Sequence, residues 1–389
     1  MNTKQIIIHT GFHKTASSSI QHTLGLNRQL LHNRGYHYPN LKVDGKQFFN
    51  QSIPLFGYYT EAPQNFKHYW YHNNVSHQRI NGLIKQFLEH DISKYNKIIF
   101  SDEFISKLSI DALKLMKNDF ESLGYQLRII SFIREPFSLA VSSIQQQAHS
   151  QGIEKIIKKQ TNSTIVPNIT NILSVFPDAE FFSFEHACNH KSGPVGFFLD
   201  LLNVHLDTNK MVRINESMSQ QAARLSSHIN TRAPLFLSGN KLNPIRTKDD
   251  IVGIYQIKGH KFALTNTEMK LVEPQCLKNR KDISNILGED FLPEPAINTV
   301  DHIQWSDSQI EYLISIQSNL NLYVLLEIYN YFVINNFSYL TKLSTLNKII
   351  RSRVDHEFIS VKANKINYKT IKLFLDRLSN KIQRLLFQL

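Results

Sequence analysis

Ile6-Ile7-Ile8-His9-Thr10-Gly11-Phe12-His13-Lys14-Thr15-Ala16-Ser17-Ser18-Ser19 is the stretch on which the reading of this chain turns. An apolar run bends at a glycine and opens a helix with a lysine and a row of hydroxyls. A strand–loop–helix start of this kind holds a phosphate. The first amides of a helix lack partners, the helix dipole favours negative charge, and the lysine adds a point cation. The plain alternative is a serine-capped helix that follows a strand. The loop is not a nucleotide-hydrolase P-loop, which needs a Gly-Lys-Ser/Thr step closing a longer glycine-rich turn.

Three further apolar bursts follow the first one, Gln5–Thr10: Lys97–Ser101, Leu127–Ile133 and Ala179–Phe184. None alternates cleanly, as expected of parallel strands covered on both faces. Helical patterns lie between them, at Ser17–Asn33, Ser76–Glu89, Ser109–Leu123 and Pro136–Gln147, with another at Val195–Leu202. The alternation predicts an α/β fold, a P-loop-like parallel sheet flanked by helices, whose ligands bind beyond the carboxyl ends of the strands. After Ser306 the pattern turns helical and Asn-, Ile- and Lys-rich, which predicts a C-terminal helical extension. The expected organisation is a catalytic core over 1–230 with an insertion at 45–75, a remainder of the core or acceptor-site elements over 231–306, and a basic helical extension over 307–389.

The 389 residues are 42% hydrophobic and 11% aromatic, enough for packed cores, and carry a net charge of +12. That charge fits anionic partners: nucleic acid, a membrane surface or a phosphorylated cofactor. Two cysteines, Cys188 and Cys276, make no disulfide framework and point to a reducing compartment. Met1 to Gln5 lead straight into the first strand, so no signal peptide is expected, and the apolar run Leu322–Ile334 is too short and too polar to span a bilayer. The expected location is cytoplasmic. The seventeen histidines are dispersed and show no metal-ligand spacing, so no metal is expected.

The third burst ends in Ile133-Arg134-Glu135-Pro136, and Ser142 stands eight positions after the arginine. A planar guanidinium can grip a second phosphate, and a hydroxyl two helical turns later adds a donor. Together the two motifs resemble those of sulfotransferases that use 3′-phosphoadenosine 5′-phosphosulfate (PAPS). Lys14, Thr15, Ser17, Ser18 and Ser19 match the 5′-phosphosulfate loop of that family. Ala16 replaces its usual glycine, a mild change under helical dihedrals and a strained one if φ is positive. Arg134 and Ser142 match the family's 3′-phosphate motif. Phe184-Glu185-His186 and Arg213-x-Asn215-x-Ser217-x-Ser219 resemble elements of the bacterial branch thought to modify cell-surface polysaccharides. The Lys-Gly-x-x-Gly-Asp-Trp element of the cytosolic animal enzymes is absent, and the resemblance ends near residue 230.

The resemblance implies PAPS as co-substrate, bound by Gly11, Lys14, Thr15, Ala16, Ser17, Ser18, Ser19, Arg134 and Ser142, and a carbohydrate hydroxyl as acceptor. Transfer needs a base for the acceptor proton and a cation for the leaving oxygen. Glu103, closing the second burst, is the expected base, with Asp102 as neighbour or alternate. Its bland reading is an ion pair with Lys14 or a helix cap. Lys14 is the expected leaving-group stabiliser. His13 is a third catalytic candidate, although a loop histidine is more often a plain hydrogen-bonding residue. The aromatic cluster His68–His72 either stacks on sugar rings or packs an insertion. The C-terminal helices either cover the core or make a homodimer, or else touch an anionic membrane; no nucleic-acid-binding pattern is present. The rival readings are a P-loop-type kinase and a non-catalytic nucleotide- or glycan-binding protein that keeps the fold.

Overall fold

The computed structural model describes residues 4–43, 46–47, 49–50, 55–61, 77–214, 217–237, 241–337 and 340–363. The aromatic cluster His68–His72, Asn215 and the basic stretch beyond 363 lie outside them. The chain divides into two compact units. The first comprises 1–140, 163–216 and 273–297; the second comprises 141–162, 217–272 and 298–389.

The first unit is α/β. Its four strands, β1 (Gln5–Thr10), β2 (Lys97–Asp102), β3 (Gln126–Ile133) and β4 (Glu180–Ser183), form a parallel sheet in the order β2-β1-β3-β4. Ile6 and Ile8 face one side with Phe100, Ile129 and Ile133, where Leu113, Met116 and Phe120 of the helix Ile110–Ser122 cover them. Ile7 faces the other side with Ile99, Ile130 and Phe132. There Ile20 and Leu24 of helix α1 (Ser17–Leu26) and Phe198 of the helix Gly193–Leu201 complete the core. The unbroken Ile6-Ile7-Ile8 run thus serves two cores at once, which is why it does not alternate.

Asp102 and Ser131 both sit level with Thr10, so β1, β2 and β3 deliver their next residues to one end of the sheet. From β1 the chain goes to β2 on one flank, then returns to β3 on the other. The crevice between β1 and β3 is therefore the topological switch point, where open α/β sheets take ligands.

Local chemistry explains where elements differ from the sequence reading. The helical pattern Ser17–Asn33 breaks into α1 and Arg28–Asn33, because the Asn27 side chain donates to Thr23 O at 2.8 Å and competes with the backbone ladder. The pattern expected to end at Glu89 is an α-helix over His77–Gln86 that continues as a π-turn over Phe87–Asp91. Phe184 leaves β4 and starts a short helix, Phe184–Cys188, capped by Ser183.

The second unit is largely helical. Its helix Gln220–Arg232 is capped by Ser219, and Lys248–Tyr255 and Asp307–Ser315 start in capping boxes, Thr247 with Asp250 and Ser306 with Gln309. The apolar run Leu322–Ile334 is a buried core helix. Its Glu327 is 1% exposed and meets Arg232 Nε at 3.3 Å, while Asn330 donates to the same carboxylate at 3.1 Å. Among the described residues, no helix is long and apolar enough to cross a membrane.

Candidate anion site at the carboxyl end of the sheet

The loop after β1 is shaped by close approach. Gly11 donates its amide to Asp102 O at 2.9 Å, and a Cβ on it would lie 2.4 Å from Ser17 Oγ and 3.1 Å from Glu103 Cγ. Only hydrogen fits there. Lys14 and Ala16 then take left-handed dihedrals, φ 66° and 60°. A left-handed residue can aim neighbouring amides into one concavity, as in anion nests. Here Ala16 is the N-cap of α1, with no side-chain cap bond. The amides of Ser17, Ser18 and Ser19 begin the helix, and none of them meets an acceptor among the described residues. Ile110–Ser122, Gln220–Arg232 and Lys248–Tyr255 close this position with a serine or threonine, whereas α1, like Ile153–Gln160 and Gly193–Leu201, has no side-chain cap.

The hydroxyl row is not uniformly available. Thr15 is fully buried and donates to Phe12 O at 2.5 Å, which ties the loop to itself. Ser17 is buried with its Oγ 3.4 Å from Thr15 Oγ1. Ser18 reaches Glu103 Oε1 at 3.4 Å. Ser19 Oγ accepts the Ile214 amide at 3.1 Å and keeps its own proton to donate. Thr15 and Ser18 therefore serve the loop and Glu103 through their side chains.

Arg134, at the end of β3, comes to this loop across the switch point. Its Nη1 donates to Lys14 O at 3.0 Å, its Nε donates to Ser138 Oγ at 2.8 Å, and its guanidinium lies 5.3 Å from the Phe184 ring centroid. Ser142 is buried on the helix Pro136–Gln147, in the part that belongs to the second unit. Ser138, one turn into that helix, is the hydroxyl that Arg134 engages. The i,i+4 spacing from Arg134 was the available signal for it.

At the end of β2, two adjacent carboxylates do different work. Asp102 is fully buried; its Oδ2 accepts the Phe56 amide at 3.0 Å and its Oδ1 accepts those of Phe104 and Ile105 at 2.6 and 3.2 Å. It organises the chain around the strand end. Glu103 is one-fifth exposed and lies 4.0 Å from His13 Nδ1. Burial raises its pKa above the ordinary carboxylate value, against the opposing pull of Ser18, Lys107 and Lys14. Burial, then Lys107 and Lys14, push His13 down to about 4. Lys14 is itself lowered by burial and by Arg134, with Glu103 opposing. Lys107, four residues after Glu103, lies over the Phe104 ring at 4.8 Å and went unremarked in the sequence.

Arg134 thus comes to the Lys14 loop beside a row of open amides; burial disfavours both charges, Arg134 lowers Lys14 further, and Glu103 supports Lys14 as Glu185 and Glu135 support Arg134. An anion in the crevice relieves both. No family model, curated protein or solved structure matches this chain.

Proposed function

We propose that the chain is a PAPS-dependent sulfotransferase acting on a carbohydrate hydroxyl. The observation that carries this reading is the meeting of Lys14 and Arg134, 120 residues apart in sequence, at the β1/β3 switch point, over the uncapped start of α1. Their charges and the amides of Ser17 to Ser19 suit the phosphate end of a nucleotide. PAPS, when bound, supplies the activated sulfuryl group.

The residues then divide the work. The acceptor hydroxyl gives its proton to Glu103 as its oxygen bonds to sulfur. The bond from sulfur to the bridging oxygen breaks, and Lys14 meets the charge that forms there. Glu103 is a better base than His13 because its pKa is raised while that of His13 falls to about 4. Neutral His13 can still orient the acceptor hydroxyl beside it. The kinase reading loses support because the Asp102 oxygens, the strand-end carboxylate it would recruit for Mg²⁺, already accept three backbone amides.

Transfer of labelled sulfate from PAPS to polysaccharides tests the reading. Lys14→Ala is expected to cut transfer by about 100-fold or more. Full activity in that variant sinks the assignment.

A further inference from the structure

The second unit holds a cavity of about 590 Å³, far larger than a water site and within the range of small-molecule pockets. One wall is the segment Asp301 to Trp305; the other is Asn335, Asn336 and Phe337. We propose that this cavity binds a neutral saccharide.

Hydrogen bonds tie down both walls. The helix Leu322–Ile334 ends in a Schellman motif, with Phe337 N donating to Phe332 O at 3.0 Å and Asn336 N to Val333 O at 3.1 Å. Asn336 takes the left-handed dihedral at φ 56° that this motif requires, a position where glycine is usual. The opposite wall follows the short parallel pair Leu264–Thr265 with Thr299–Val300. Its Asp301 Oδ1 accepts from Asn266 Nδ2, and Gln304 O accepts from Gln221 Nε2 at 2.7 Å. Beneath them, Trp305 packs edge-on against Phe332 with centroids 4.7 Å apart, and Phe337 meets the same ring edge-on at 5.9 Å.

The lining chooses the ligand. Among the described residues no lysine or arginine borders the cavity, so none of them matches a phosphate, sulfate or nucleic-acid backbone. Its lining carries three amides, Gln304, Asn335 and Asn336, and one carboxylate, Asp301, which disfavours an apolar ligand. The side chains of His302, Gln304 and Asn336 make no hydrogen bond among the described residues, and Asn335 spends only its Nδ2, on Tyr331 O at 2.7 Å. Each exposed amide offers a donor and an acceptor on a planar fork, the arrangement that engages adjacent hydroxyls of a sugar ring. Half-buried Ile303, with the edges that Trp305 and Phe337 leave exposed at 5% and 9%, gives the ring's C–H groups a small apolar contact. The inference stands whether or not the first unit transfers sulfuryl groups.

Saturation-transfer NMR on the full chain tests it, with maltose, cellobiose and N,N′-diacetylchitobiose as neutral probes and glucuronate as the charged one. At least one neutral disaccharide is expected to bind, with a Kd on the order of 1 mM for so small a contact. Asn336→Gly keeps the left-handed cap and removes only the amide, so it folds; together with Gln304→Ala it is expected to weaken binding about tenfold or more. Three results overturn the proposal: no transfer to any neutral probe at about 20-fold that order of concentration, glucuronate binding as well as the best neutral sugar, or affinity unchanged in the double variant.

Discussion

Glu103 and His13 are two candidates for one proton, and their surroundings separate them. Burial makes the Glu103 carboxylate hold its proton more tightly, whereas burial, then Lys107 and Lys14, lower the basicity of His13. Under the sulfotransferase reading, kcat/KM should rise with pH as Glu103 ionises, with a midpoint above that of an ordinary glutamate. Glu103→Gln is expected to lower the rate by about 10²–10⁴-fold and to erase that limb; a variant that keeps the limb would assign it to another group. His9 gives a separate residue-scale prediction, on stability. It is fully buried between Phe132 and Phe198, its Nδ1 2.8 Å from Ser101 Oγ, and burial holds its pKa down to about 3 from an ordinary 6.5. Between those values the unfolded chain takes up a proton that the folded chain refuses. Its contribution is therefore full above pH 6.5 and is lost as pH falls toward 3. His9→Asn should flatten the acid side of the stability profile over that window, measured by urea unfolding at several pH values. An unchanged slope would rule out His9 as its source.

At the scale of elements, the β1–loop–α1 unit was almost wholly legible in sequence, since each part follows local rules. An isoleucine run gives a buried strand, a glycine permits the tight return, and serines start the helix. What the sequence left open was the conformation of Ala16, which depends on how the loop closes onto Glu103 and Arg134 from other strands. The structure decides it at φ 60°, so the alanine sits where glycine is favoured. An L-residue in that region costs about 1–2 kcal/mol, partly offset by the freedom glycine gains when unfolded. Ala16→Gly is expected to stabilise the protein by about 1 kcal/mol, roughly 2 °C in Tm, measured by calorimetry. A loss of stability would mean that the Ala16 methyl makes packing contacts worth more than the strain. The break at Asn27 was harder to see, because periodicity carries on through it and only a side-chain bond to Thr23 O interrupts the helix.

For the whole molecule, sequence motifs announced which residues bear charge but not which would meet. Spacing paired Arg134 and Ser142 as two donors for one phosphate; it did not single out Ser138, whose hydroxyl Arg134 Nε engages because the first turn of the following helix comes within reach. Likewise the first unit gathers 163–216 and 273–297 around a sheet that starts at residue 5, a grouping that composition along the chain does not encode. The crevice built from these distant pieces makes the most direct global prediction. Burial disfavours the charges of both Lys14 and Arg134, so under the sulfotransferase reading a ligand with 3′- and 5′-phosphates should bind the folded chain and not the unfolded one. At 100 times its Kd, 3′-phosphoadenosine 5′-phosphate should add about 2.7 kcal/mol of stability. ATP, which lacks the 3′-phosphate, should add far less at the same concentration. Hydrogen exchange should slow in the loop Gly11–Ser19 and around Arg134 in the same experiment, which ties the thermal shift to this crevice. Equal stabilisation by ATP would leave an anion site without the 3′-phosphate preference, and the sulfotransferase reading would fall with it.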